Sequence, residues 1–419
     1  MTIMLLSSKV LKICLIMSLI LSATSNKDDT LESKSIDSTG DSLEDKSSHG
    51  SRLELDLTGT LRQTFVYHMG LMDTRTSAVC SPISALLPLG KLAMGSSSRR
   101  YEEFKQAVGY RRSKVVSKFT AVMSKLNHIS GRVQLTIASR LYVSKDYSLR
   151  SSFHERVRHI FKSSCERVDF RNGVETAKSI NRWIHSETDG VIKDLIKPGE
   201  IDKETSLLIT NAIYFNGRWK DKFNDIHDAV FYTPSRDKLV KLMSRIGDYN
   251  YVKSDKLHAE IVEIPYSGND VSFIAVLPNE RQGLASVLRS LMDSPKRLNE
   301  EMSKMRQQRM SVSIPRFKIK SDLDLAALYY KIGMKDIFKK DNKVLTKVLK
   351  NHRVHVSRAV HAAVIEVDQY GTEGASVSAV QATVVSATYV ERRFRADHPF
   401  LFFVIANDEQ LFGGIYTGE

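Results

Sequence analysis

The stretch Thr210-Asn-Ala-Ile-Tyr-Phe-Asn-Gly-Arg-Trp-Lys220 does most to decide the fold of this 419-residue chain. Its first half, with Leu207 and Leu208 before it, is a short run rich in Ile, Tyr and Phe. Runs of β-branched and aromatic residues of this length are typical of strands in a pleated, largely buried sheet. The sequence therefore predicts a strand over 207–215.

Outward from this strand, helical and strand-like patterns alternate irregularly. Apolar residues recur at the three- and four-residue spacing of amphipathic helices in 53–70, 83–93, 100–108, 113–127, 152–163 and 176–186. Further strand-like segments are 134–142, Ala259–Pro265, 272–277, 311–319, 360–367, 401–406 and 411–416. Because helices gather early and strands late, without regular βαβ alternation, we expect an α+β fold.

The N-terminus predicts export. Lys9 and Lys12 precede the apolar run 13–21, and small residues follow it, so residues 1–25 have the features of a secretory signal peptide. The alternative is a retained membrane anchor, but the two lysines interrupt the roughly 20 apolar residues that spanning requires. Residues 26–52 are polar and predict a disordered extension, which leaves 53–419 as a single domain. We therefore expect a secreted, extracellular protein.

Composition excludes several classes of protein. With 42% hydrophobic and 26% charged residues, the chain is neither wholly disordered nor a multi-span membrane protein. Its three cysteines are too few for a disulfide-stapled scaffold. Cys14 lies in the predicted signal peptide, whereas Cys80 and Cys165 would either pair or remain buried thiols.

Motifs for catalysis or metal binding are lacking. The sequence contains no Gly-x-Ser-x-Gly, Gly-x-Gly-x-x-Gly or phosphate-loop motif. The nearest metal-binding pattern is His154-Glu155 with His159, whose i, i+5 spacing turns the two imidazoles to different faces of a helix. We read that pattern as a solvated helix face, and we expect neither an enzyme, nor a metal site, nor a bound cofactor.

The net charge of +14 favours anionic partners. A basic cluster could bind a polyanion such as a heparin-like sulfated glycosaminoglycan, or could be an ordinary solvated surface: Arg99, Arg100, Arg111, Arg112, Lys114 and Lys118. Because no aromatic residues interleave with the basic ones as in nucleic-acid binding, we expect no nucleic-acid partner.

The segment Gly371-Thr-Glu-Gly-Ala-Ser-Val-Ser-Ala379 has almost only small side chains. In a strand, residues 372, 374, 376 and 378 would share one face, and small residues there could enter an existing sheet without overpacking its core. The alternative is a flexible linker of small residues.

The sequence resembles the serpins from residue 53 to 419. The stretch 210–220 followed by Phe223 is similar to the family's central strand and the turn after it. Further matching motifs follow in the family's order: Ser81-Pro-Ile-Ser84, Ile180-Asn-Arg-Trp183 with Thr188-Asp-Gly190 and Ile192, Pro315-Arg-Phe317, Val360-His-Ala-Ala-Val-Ile-Glu-Val367, Asp397-His-Pro-Phe400 and Leu411-Phe-Gly-Gly414.

The resemblance implies a monomer with three β-sheets, about nine helices and an exposed reactive-centre loop. In such proteins a serine protease attacks the loop, forms an acyl-enzyme and is trapped covalently when the cleaved loop inserts into the main sheet. The resemblance thus implies an irreversible protease inhibitor without catalytic residues of its own. A non-inhibitory member that serves as a carrier, chaperone or glycosaminoglycan binder is the alternative.

The resemblance also assigns roles to residues. The hinge of the loop would be Gly371, Thr372, Glu373, Gly374, Ala375, Ser376, Val377, Ser378 and Ala379. The residues that control opening of the sheet would be Ser81, Ser84, Asn211, Trp219, His361 and Gln369, the last replacing a usual Glu and so losing a salt bridge. The scissile bond would join Val385 to Ser386, which suits an elastase-like protease. Alternative reactive-site residues are Thr388, Tyr389, Arg392 and Arg393.

Overall fold

The computed structural model describes residues 74–97, 101–127, 133–294, 296–370, 392–406 and 409–418. Within these ranges the α-helices are α1 Pro82–Met94, α2 Glu102–Val108, α3 Arg112–Asn127, α4 Ser151–Phe161, α5 Gly173–Glu187, α6 Leu284–Asp293, α7 Arg297–Met302 and α8 Leu325–Lys331. The first seven strands are β1 Ala78–Cys80, β2 Val133–Ser144, β3 Cys165–Val168, β4 Leu207–Gly217, β5 Asp225–Phe231, β6 Lys238–Ser254 and β7 Ala259–Pro265. The other seven are β8 Val271–Pro278, β9 Arg306–Pro315, β10 Phe317–Asp324, β11 Val356–Val367, β12 Arg393–Arg395, β13 Phe400–Ala406 and β14 Glu409–Tyr416.

The mixed α+β class is confirmed, and every predicted element inside these ranges is present, with one correction. The predicted strand 311–319 is two strands, β9 and β10, which separate at Arg316 and join different sheets. The predicted helix 53–70, signal peptide and polar extension lie outside the described residues.

The strands of the described ranges form two hydrogen-bonded sheets rather than the expected three. The smaller sheet has the order β10-β11-β4-β2-β3, and the larger has nine strands. The 17-residue strand β6 explains the difference. Its first residues, from Lys238, pair with β5, whereas its last residues, to Ser254, pair with β7, so two groups of strands are continuous through one long strand.

The five-stranded sheet has a covered face on each side. On one face Ala212 and Ala362 pack beneath α5, against Ile180 and Ile184. Residues of the opposite face, such as Ile213, belong to the main hydrophobic core together with α1. This alternation follows from the two-residue period of a strand, which sends neighbouring side chains to opposite faces.

The structure settles the state of the two cysteines that it describes, which the sequence left open. Cys80 and Cys165 are both buried free thiols, and burial raises the pKa of the Cys165 thiol to about 12. Across the ranges that the structure describes, no helix is long and apolar enough to cross a bilayer, and no group of His, Cys, Asp or Glu could hold a metal ion.

Candidate functional site at the junction of β4 and β11

The centre of the five-stranded sheet is a parallel strand pair. β11 runs parallel to β4, from Val356 beside Leu207 to Ile365 beside Phe215. Each strand is antiparallel to its other neighbour, because β10 pairs with β11 and β2 pairs with β4 in the antiparallel sense. The β4–β11 junction is therefore a parallel ladder between two antiparallel ones, and parallel pairing is slightly less stable per residue.

Backbone hydrogen bonds tie the C-terminal ends of these two strands together. After β4, the amide of Trp219 donates to the carbonyl of Tyr370 at 3.0 Å, and the amide of Phe223 donates to the carbonyl of Gln369 at 3.0 Å. The indole Nε1 of Trp219 donates to the carbonyl of Asp368 at 2.8 Å. The chain that follows β11 is thus held at this end of the sheet before residue 371.

Trp219 is itself fixed by aromatic packing. Its ring stacks on Tyr266 with centroids 4.4 Å apart, and Phe223 and Phe273 meet it edge-on. Trp219 and Tyr266 are buried, and burial, with a smaller effect of Asp368, raises the pKa of Tyr266 well above its usual value. This apolar cluster gives the indole one orientation, in which its N–H meets the Asp368 carbonyl.

A buried polar cluster lies under the middle of the junction. Asn211 of β4 and His361 of β11 are register partners, and both are fully buried. Asn211 Nδ2 lies 2.8 Å from both the carbonyl and the hydroxyl oxygens of Ser84 on α1, and 2.9 Å from His361 Nδ1. A carbonyl only accepts, so the Asn211 atom facing it is the NH₂ group. His361 Nδ1 therefore faces the NH₂ group as an acceptor.

This cluster joins three of the predicted residues directly and a fourth indirectly. The Ser81 hydroxyl caps α1 by accepting from the Ser84 amide at 3.2 Å, so it positions Ser84 rather than contacting Asn211. The cluster links β4, β11 and α1, and opening the junction would have to break the Asn211–His361 bond.

Replacing Asn211 by Ala should destabilise the protein by about 2–4 kcal/mol, because it removes the hydrogen bonds that Asn211 donates to the buried carbonyl of Ser84 and to His361 Nδ1. Urea unfolding would measure the change in the free energy of unfolding. Asn250→Ala is the matched control, since Asn250 is exposed and, among the residues that the structure describes, its side chain bonds to Glu263 Oε2 alone. An equal loss in both variants would contradict a special role for the cluster.

Three further predicted site residues, Gln369, Arg392 and Arg393, lie in the part of the chain that the structure describes. The side-chain oxygen of Gln369 is buried and makes no hydrogen bond with any residue that the structure describes. Arg393 is the first residue of β12 and pairs with Ser311, whose amide donates to the Arg392 carbonyl. The hinge residues 371–379 and the candidates Val385, Ser386, Thr388 and Tyr389 lie outside the described residues.

The predicted basic cluster gains members that are distant in sequence. Arg111 and Lys114 are exposed, and Lys118 Nζ lies 5.3 Å from the centre of the Tyr110 ring, while Arg99 and Arg100 lie outside the described residues. The Arg112 guanidinium lowers the pKa of Lys347, and burial and the charges of Arg156 and Arg150 add to that effect. Four cations thus share one surface although more than 230 residues separate the first from the last. Because these residues lie far apart in the sequence, their positions in the chain did not indicate that they share a surface.

Comparisons with known proteins agree on one family. The family model described as Serpin (serine protease inhibitor) matches residues 63–417. The chain is 34% identical over 346 residues to Antichymotrypsin-2 of Bombyx mori, an alignment that covers 81% of this chain and 91% of the relative. It is 33% identical to Antitrypsin of the same species over 347 residues, covering 81% and 88%.

A solved structure supports the same assignment. The crystal structure of Serpin48 from Tenebrio molitor, described as a highly specific serpin, superposes with a TM-score of 0.77 at 25% sequence identity. The match covers 87% of this chain and 99% of that one. The parallel β4–β11 junction, the hydrogen bonds at its end and the motifs quoted above agree with these comparisons. The family model and the two relatives show that the chain belongs to the serpin family of serine protease inhibitors.

Proposed function

We propose that this chain is a secreted, irreversible inhibitor that traps a serine protease when segment 371–391 is cleaved and inserts between β4 and β11. One observation carries the proposal. The two strands are parallel neighbours, and the chain leaves β11 at the end where Trp219 and Phe223 hold it. A segment that turned back there would run antiparallel to both strands.

Insertion of this kind has a favourable energy balance. It would replace one parallel ladder by two antiparallel ladders, which are slightly more stable per residue. A new strand of about a dozen residues, at roughly 1 kcal/mol net for each hydrogen bond, would add on the order of 10 kcal/mol. The intact segment cannot gain this energy easily, because both of its ends are tied, to β11 and to β12.

The chemistry belongs to the protease. Its serine attacks a carbonyl of the segment, the peptide bond breaks, and the new amino terminus leaves while the acyl group stays on the serine. Insertion then moves the acyl-enzyme away from the site of attack before water can hydrolyse the ester. The inhibitor needs only a cleavable bond, a hinge of small residues and a junction that opens.

We place the scissile bond between Val385 and Ser386, which suits the shallow specificity pocket of an elastase-like protease. Thr388 and Tyr389 are alternatives, and Tyr389 would suit a chymotrypsin-like pocket. The backbone of Arg392 and Arg393 is engaged by β9, so a trypsin-like protease could reach it only after β12 had detached.

Incubation with pancreatic elastase and with chymotrypsin tests the proposal. We expect a protease–inhibitor complex that survives boiling in SDS, and mass spectrometry of the released peptide would identify the scissile bond. An elastase whose active-site serine is replaced by Ala is the control, because it can bind but cannot acylate. Cleavage without any stable complex would favour the alternative, a non-inhibitory binding protein.

We also propose that the basic cluster around Arg112 binds a sulfated glycosaminoglycan. The support is the repulsion that Arg112, Arg150 and Arg156 exert on Lys347, which a bound anion would relieve. The variant R112A/R156A/K347A should elute from a heparin column at clearly lower salt than the parent, because each lost contact with a sulfate group weakens binding in a salt-dependent way. K335A/K339A/K340A removes the same charge elsewhere, and equal elution of the two variants would contradict the site.

A further inference from the structure

A cavity of about 530 Å³ lies on the far side of β2 from the β4–β11 junction. Side chains from α1, α3, α4, α5 and β2 line it. Its volume falls in the range of small-molecule sites, roughly 300–1,000 Å³. None of the residues that carry the proposed inhibitory mechanism lines it.

A buried lysine forms part of its wall. Lys91, on α1, is only 1% exposed. Its ammonium lies 2.7 Å from the carbonyl oxygen of Ser139, 2.9 Å from the Ser139 hydroxyl and 2.7 Å from the Ser163 hydroxyl, so all three of its hydrogens are engaged by neutral acceptors. Burial lowers the pKa of Lys91 to about 7.

This buried charge has no carboxylate beside it. The ionisable groups that influence it are the Cys165 thiol and the Arg140 guanidinium, and no Asp or Glu of the described ranges does so. A buried ammonium without a counter-ion is costly, because neutral hydrogen bonds compensate its lost hydration only in part. The fold therefore leaves a place where an anion would be stabilised.

The rest of the wall strengthens the preference for an anion. Arg140, Arg158 and Lys162 line the cavity, against one carboxylate, Glu187, which already accepts a hydrogen bond from Trp183 Nε1 at 3.0 Å. The neutral polar groups include the Ser164 hydroxyl, which is buried and has no hydrogen-bond partner in the part of the chain that the structure describes.

The same cavity is half apolar. Its larger apolar lining residues are Leu87, Met123, Ile137, Phe161 and Trp183. The Arg140 guanidinium lies 4.0 Å from the centre of the Trp183 ring, so cationic and apolar surface adjoin. A fully hydrated ion such as phosphate would leave this apolar surface unfilled, whereas an anion with a hydrocarbon chain would use both parts.

We propose that this cavity binds a single-chain amphipathic anion, a fatty carboxylate, with its head group near Lys91, Arg140 and Ser164 and its chain along the apolar wall. The ligand would supply the counter-ion that Lys91 lacks and an acceptor for the Ser164 hydroxyl. The inference does not depend on the protein being an inhibitor.

Calorimetric titration of the full chain with laurate tests this site, and dodecyltrimethylammonium serves as a probe of equal chain length and opposite charge. We expect laurate to bind with one site per chain and the cation not to bind. Lys91→Met removes the ammonium group but leaves an unbranched apolar side chain, and it should weaken laurate binding by about tenfold or more. Lys178→Met removes an exposed lysine of α5 and should leave laurate binding unchanged.

Three outcomes would overturn the proposal: no laurate binding to the parent protein, equal laurate binding by the parent and Lys91→Met, or equal binding of the two probes. If Lys91→Met does not fold, Arg140→Met takes its place with the same expected loss, since Arg140 is only partly buried.

Discussion

Cleavage of one peptide bond between residues 380 and 390 should raise the melting temperature by about 20 °C. Cutting a chain ordinarily destabilises a protein, because the unfolded state gains freedom. Here the cut would release the inserting segment from β12, and a new central strand would add on the order of 10 kcal/mol through its hydrogen bonds. For a domain of this size, each kcal/mol shifts the midpoint by roughly 2 °C.

The measurement is differential scanning calorimetry before and after limited digestion, with the cut mapped by mass spectrometry. The sample should stay as a nicked but associated pair of fragments, since the larger one ends in the inserted strand and the smaller one contains β13 and β14 of the other sheet. A midpoint that stays the same or falls after a mapped cut in this segment would mean that no strand is inserted.

The strands that the sequence predicted best are the buried ones. β4 and β11 are covered on both faces, so nearly every position is apolar or small, and the run is unmistakable. β5 and β6 were not predicted, because much of their surface is exposed and carries charge, including Lys241 paired with Asp228 across the two strands. Edge and solvent-facing strands need not be apolar, so hydropathy does not reveal them.

Sheet membership was harder to predict than strand positions. β9 and β10 look like one strand because the pattern resumes after a single residue, Arg316. Pro315, at the end of β9, cannot donate to a ladder, which favours a break, but nothing in the pattern says that the next strand joins another sheet. The continuity of β6 likewise depends on partners far away in the chain.

The candidate site was predicted in part. The resemblance identified Asn211, His361 and Trp219, and the structure brings them to the junction. The bonds that hold the end of β11 are mostly between backbone groups, which leave no trace in residue identity. Lys91 was also not singled out, because a lysine near the end of a helix gives no sign of being buried.

The inserting face should not tolerate a charge, so Thr372→Arg should turn the inhibitor into a substrate. In the proposed mechanism Thr372 is the first residue to enter between β4 and β11, on the face shared with Gly374, Ser376 and Ser378. Burying a guanidinium without a partner costs several kcal/mol. Because each 1.4 kcal/mol changes a rate about tenfold, deacylation should then outpace insertion.

Titration against elastase would separate the two steps. The Thr372→Arg chain should be cut as fast as the parent, because its scissile bond is unchanged, while the fraction trapped as SDS-resistant complex falls at least tenfold. Thr372→Val keeps the size and branching of the side chain without adding a charge, and it should keep most of the trapping. If Thr372→Arg trapped elastase as well as Thr372→Val did, the segment would not enter the sheet from its hinge, and the parallel junction of β4 and β11 would have no part in inhibition.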